Sequence, residues 1–152
     1  MTSRLRASAL VLAAAVSACS AFAVTFDSVD FFRAVNVDNA DAVSRMLAAG
    51  LDPNQLDPRG QPALIVALQT ESLKVAKVLW NAKGIDIDVR NHAGETPLMM
   101  AARYGNEEAV DALLAAGADR TAKNDLGMDA SAFAGSAGRE KLAARLKPGG
   151  AK

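Results

Sequence analysis

A chain of 152 residues suits one domain, and 17 basic against 17 acidic side chains give none of the basic excess that marks a nucleic-acid binder. Half of the residues are apolar but only 5% are aromatic, and Ala dominates. That balance favours closely packed short helices over a sheet rich in Val, Ile and Tyr, while one cysteine and one histidine exclude an intrachain disulfide and a two-histidine metal site.

The N-terminal stretch differs from the rest. Arg4 and Arg6 precede an apolar run over residues 7–16, and small residues follow, ending in Ala21, Phe22 and Ala23. This order of charged, apolar and A-x-A segments predicts a secretory signal peptide over residues 1–23. The apolar run is well short of the ~20 residues that span a bilayer. Cys19 lies within the leader, and Val16, Ser17 and Ala18 ahead of it resemble a bacterial lipobox, in which the cysteine is lipidated and becomes the mature N-terminus. Cleavage after Ala23 is the leading expectation and lipidation at Cys19 the alternative. Cleavage after Ala23 gives a periplasmic protein with 15 basic and 17 acidic residues. Lipidation at Cys19 gives an outer-membrane lipoprotein, the only case in which membrane association is expected. The Ala-rich leader points to a Gram-negative cell.

After residue 23 the predicted elements come in pairs of helices. The first unit, residues 26–56, places Asp27 as a helix cap, with Phe26 and Phe31 positioned as a hydrophobic staple across it. The second, residues 57–90, has Pro62 and Ala63 where the third has Thr96 and Pro97, so its first helix lacks a hydroxyl cap. In the third, residues 91–123, Thr96 caps a helix, Pro97 fills its first position and Gly105 permits a left-handed exit. The fourth, residues 124–147, is truncated. Ser131 replaces an inward Leu and Lys147 stands where Leu114 stands one unit earlier, exchanges that suit a last unit facing water. Gly135, Ser136, Ala137 and Gly138 read as its inter-helix turn, and residues 148–152 as a flexible tail.

Two glycine series carry one period. Gly60, Gly94 and Gly127 are spaced by 34 and 33 residues, and so are Gly50, Gly84 and Gly117. Within the units, Val75, Val78 and Leu79 form an apolar stripe at helical spacing, and Val110, Leu113 and Leu114 form its counterpart. A helix as short as the one after Thr96 is marginal alone, so adjacent units must supply its burial. The fold class expected is an all-α solenoid of about four helix-turn-helix units with short loop hairpins.

The stretch "GETPLMMAA", residues 94–102, and "LLAAGAD", residues 113–119, make the chain resemble the ankyrin repeat family over residues 26–147. The third unit matches the family pattern and the others are degenerate. Met99 takes the place of the usual His after Thr-Pro-Leu, which removes the bonds that His makes in the family. The resemblance implies a binding scaffold for proteins, with no cofactor and no catalysis. An inhibitor or immunity protein for an envelope enzyme or toxin is the narrower alternative. It also implies that Asp86 and Asp119 tether loop backbone rather than bind metal.

The residues agree with a non-catalytic reading. Gly135 to Gly138 lacks the glycine two places before the serine of a nucleophile elbow, and no phosphate-binding glycine loop is present. His92 reads as a solvated loop tip or a binding contact, and Trp80, Met99 and Met100 as packing residues. Family positions on the concave side place the partner-binding face at Arg59, Arg90, His92 and Glu95, with Arg103, Tyr104, Lys123 and Asp125 beyond them. Leu56, Pro58, Gln61, Gln69, Thr70, Leu126 and Met128 flank these. Four cations on this face point to a protein partner with an acidic surface; the oligomeric state is left open.

Mass determination of the mature N-terminus separates the two export outcomes. A start at Val24 without added mass indicates simple cleavage, an acylated Cys19 indicates the lipoprotein, and Met1 retained in the mature pool defeats both.

Overall fold

The computed structural model describes residues 27–149, so the leader, Cys19 and Phe26 lie outside the described residues. Eight helices follow in pairs: α1 (Ser28–Asn36) and α2 (Ala40–Ala48), α3 (Ala63–Gln69) and α4 (Leu73–Trp80), α5 (Pro97–Tyr104) and α6 (Glu107–Ala115), α7 (Ala130–Ser136) and α8 (Glu140–Leu146). Among the described residues the only strand-like pairing is one isolated bridge between Leu56 and Pro62. The all-α solenoid expected from the glycine periods is the architecture observed.

Local chemistry sets where each helix begins. Asp27, Asn39, Asn106 and Asp129 each accept the backbone N–H three residues on, satisfying one of the orphan donors at a helix start. At α5, Thr96 accepts the Met99 N–H at 3.4 Å, and the Met99 thioether accepts the Thr96 N–H at the same length. Met99 therefore supplies a weak sulfur contact where the sequence suggested a loss of side-chain bonds. Pro62 opens α3 with no side-chain cap, as its lack of a hydroxyl requires.

One further helix start and one helix end are satisfied between units. Ser72 caps nothing with its side chain; instead the Asp38 carboxylate of the first inter-helix turn accepts the Val75 N–H of α4 at 2.9 Å. At the other end Arg139, which precedes α8, donates to the carbonyls of Arg103 and Tyr104 at 3.1 and 2.8 Å. It thereby satisfies the C-terminal carbonyls of α5, where a cation is also favoured by the helix dipole. Both bonds fix the register of one unit on the next.

α1, α3, α5 and α7 stack in one layer and form the inner helices; α2, α4 and α6 form the second, with α8 packed on α7. One continuous core runs between the layers, including Leu64, Leu98, Val75, Leu79, Val110 and Leu113, all essentially sealed from water. The stripe read from the sequence is the buried one, with Val78 and Leu114 half-buried at its edge. Trp80 belongs to the core. On the outer layer, Lys77 meets Glu108 at 2.8 Å and Arg145 meets Asp111 at 2.9 Å, exposed pairs that add little to stability.

The last unit departs from the sequence reading in two places. Ser131 is not turned to water: it is buried, and its hydroxyl donates to the Ala143 carbonyl at 2.8 Å, tying α7 to α8. A small donor there lets the two helices approach where Leu would hold them apart. Gly135 and Ser136 are the last residues of α7, so the turn lies at residues 137–139, with Gly138 at φ 74° matching Gly105 at φ 70°.

Replacing Leu113 by Ala should lower unfolding free energy by about 2–5 kcal/mol, because the cavity opens in the layer shared by neighbouring units. Urea denaturation measures it, and a change near zero would mean that this position does not carry inter-unit packing.

Candidate functional site

The surface on which the sequence placed its binding residues is built from hairpin tips, and each tip is shaped by one buried or half-buried Asx side chain. Asn91 Oδ1 accepts the N–H groups of Ala93 and Glu95, both at 3.0 Å. Asn124 does the same for Leu126 and Met128 at 3.0 and 2.9 Å, and Asp57 for Arg59 and Gln61, both at 2.8 Å. A buried N–H left without an acceptor is costly, so one side chain holding two fixes the loop outright. These three positions recur at the glycine period, a signal present in the sequence but not used there.

Successive tips also lie on one another. The His92 imidazole covers Gly60 and the Asp125 side chain covers Gly94, at places where a Cβ would collide with it. Gly60 and Gly94 are needed for this close approach as well as for their positive φ. The Asp125 N–H donates to the Ala93 carbonyl at 3.1 Å, and Arg90 Nη1 donates to the Lys123 carbonyl at 2.8 Å. His92 remains exposed, as a loop-stacking residue.

Below the tips runs a second set of polar contacts. Asp52, Asp86 and Asp119 each accept the N–H two residues on. Asn54 and Asp88 each reach across to the next unit, accepting the N–H of Asp86 at 2.8 Å and of Asp119 at 3.0 Å. The Thr121 hydroxyl, then its N–H, hold the Asp119 carboxyl below the usual carboxylate pKa, with a smaller contribution from Arg90. The ionised form is the one that the loop uses. Its contribution is therefore present above the unfolded carboxylate pKa and is lost as pH falls through the lowered value. These acids are backbone tethers, and no group of His, Cys, Asp and Glu among the described residues is arranged to hold a metal.

Two grooves open between the tips and the inner helices. One, of about 520 Å³, is lined by Glu95, Arg103, Tyr104, Asn124, Leu126, Met128, Phe133, Ser136 and Ala137. The other, of about 570 Å³, lies at the first unit among Val29, Phe32, Arg33, Val37, Leu56 and Pro58. The structure thus gathers Glu95, Arg103 and Tyr104 into one groove and lines Arg59, His92 and Asp125 along the tips. Arg59 sits 3.7 Å from Asp57, and Glu95 accepts the Asn91 amide at 2.7 Å. Arg103 and Lys123 make no ion pair among the described residues. Phe133 belongs to this surface but went unread, because the degenerate fourth unit hides its equivalence to Met100.

Comparison with known proteins follows the same segments. A family model of ankyrin repeats in three copies matches residues 31–124. The Notch homolog protein 1 of Mus musculus is 33% identical over 118 residues, which is 78% of this chain. The Notch homolog protein 4 of Homo sapiens is 40% identical over 78 residues, or 51% of this chain, and the Notch protein of Drosophila melanogaster is 38% identical over 80 residues, or 53%. The chain spans only 5%, 4% and 3% of the length of those relatives. The likeness is to their repeats.

Substituting Asn124 by Ala removes the acceptor of two part-buried N–H groups and should cost about 1–2 kcal/mol. Asn124→Asp keeps the acceptor, as Asp57 does in the second unit, and should recover most of that loss. Thermal unfolding of the pair checks it; equal damage from both would mean that the amide N–H groups, rather than the oxygen, matter.

Proposed function

We propose, because this chain belongs to the ankyrin repeat family, that its protein-interaction scaffold works in the bacterial cell envelope and holds a protein partner with an acidic surface. The hairpin tips and the ends of the inner helices form the binding face. Export rests on the charged, apolar and A-x-A order of residues 1–23.

One observation carries the choice of partner: Arg103 and Lys123 stand on that face with no carboxylate paired to them among the described residues. Cations of this kind on an otherwise near-neutral chain speed association with an acidic surface and make it sensitive to salt. The rigid tips lower the ordering cost of binding, since their backbone donors are already held by Asp57, Asn91 and Asn124. Scaffolding rather than catalysis accords with loops whose Asp57, Asp86 and Asp119 side chains are spent on backbone N–H groups.

With a partner captured from an envelope extract, Arg103→Glu and Lys123→Glu should each weaken binding about ten-fold and flatten its salt dependence. Arg90→Glu is a less clean probe, because it also breaks the bond to the Lys123 carbonyl. Lys74→Glu, on the exposed side of α4, is the control; Lys77→Glu is unsuitable because it would face Glu108. Binding lost in Lys74→Glu but kept in the other two would place the partner on the outer layer instead.

A further inference from the structure

We propose that the groove on the first unit is the seat of the chain's own residues 24–26, which fold back over α1 with the Phe26 ring and close this end of the concave face. The seating depends neither on export nor on the identity of a partner, so it can fail while the protein-binding reading stands.

The lining of the groove sets the chemistry of its occupant. Of the six large apolar side chains exposed among the described residues, three line it: Val29, Val37 and Leu56, at 60%, 67% and 53% exposure. Phe32 and Pro58 add to the same surface. Its charged members already have partners. Arg33 meets Asp30 at 3.1 Å, and Asp57 accepts two backbone N–H groups with Arg59 3.7 Å away. No charge there asks for an answering one, so an uncharged apolar occupant gains most by entering.

Position identifies that occupant. The Asp27 carboxylate accepts the Asp30 N–H at 2.8 Å and its backbone is extended, so the chain meets α1 at a fixed point. Ser28, the next residue, lines the groove and donates to Gln55 Oε1 at 3.0 Å, which holds the helix start against the loop of Leu56 and Pro58. Residues 24–26 are thus attached at the mouth of the groove. Three residues of extended chain reach about 10 Å. Val29 and Val37 are separated by roughly 12 Å at the helical rise per residue. Residues 7–26 contain no charged side chain, and Thr25 separates Val24 from Phe26, so an extended segment turns both apolar side chains to one side. A short tether keeps them at roughly millimolar effective concentration, and little surface is then needed to hold them. A second copy lacks that advantage, and three aliphatic side chains fall far short of the ~800 Å² that each partner gives to a stable interface.

Methyl NMR on the mature protein tests the seat directly. Cross-peaks should join the Phe26 ring to the methyl groups of Val29 and Leu56, and Phe26→Ser should shift those methyl signals as the ring current is lost. Opening the groove should also raise the fluorescence of a hydrophobic dye several-fold in Phe26→Ser, while Phe26→Leu, which keeps an apolar side chain, should stay near the wild-type signal. Circular dichroism confirms that both variants fold, and the wild-type cross-peaks decide the matter even if one does not. Cross-peaks from Phe26 to Phe31 alone would restore the staple and overturn the seat. Absence of any contact to Val29 or Leu56, or equal dye fluorescence in wild type and Phe26→Ser, would overturn it too. Methyl shifts that change with protein concentration would put a second copy in the groove, and shifts that arise only with an added envelope extract would give it to an outside partner; either result overturns the proposal. None of these outcomes bears on Arg103 or Lys123, whose part in partner binding is tested separately.

Discussion

No helix among the described residues is long enough to be stable by itself. They run from 7 to 9 residues, below the length at which an isolated helix persists in water, so each must gain its stability from burial against the units on either side. That constraint shapes everything else. It demands small residues such as Ala67, Ala101 and Ala134 where inner helices approach, and large ones such as Leu79 and Leu113 between the layers. It also makes cooperativity a matter of neighbours, as in any array whose units contact only the next.

Stacking hydrophobic helices would fix spacing but not register. Register comes from polar contacts that cross between units, and each ties a side chain of one unit to a backbone group of the next. Asp38 to Val75, Asn54 to Asp86, Asp88 to Asp119 and Arg139 to the end of α5 follow the whole length of the stack. The loops can remain at the surface without strand pairing because these bonds, with the Asx acceptors at the tips, satisfy their backbone donors. A surface so firmly held is suited to recognition, since little entropy remains to be lost on binding. Many of the acidic residues are held in this framework, while cations such as Arg103 and Lys123 make no ion pair among the described residues.

The sequence by itself determined the number of units, the start of α5 and the buried stripe, because these follow from periodicity and short-range rules. Gly105 needs a left-handed turn, Thr96 and Pro97 start a helix, and Val110 and Leu113 share a face, whatever surrounds them. The tether role of Asp86 and Asp119 was implied by the family resemblance, and each accepts the N–H two residues on. Tertiary structure alone decided which residues distant along the chain come into contact. Ser131 reads as a surface residue until α8 is placed over it, and His92 as a free loop tip until Gly60 lies beneath it. The groove at Tyr104 exists only because Leu126 and Phe133, over twenty residues further along, are brought opposite it by the stacking of α5 on α7. Local conformational preference is written in adjacent residues, whereas the fit of one unit on the next depends on shapes and distances that no single unit contains.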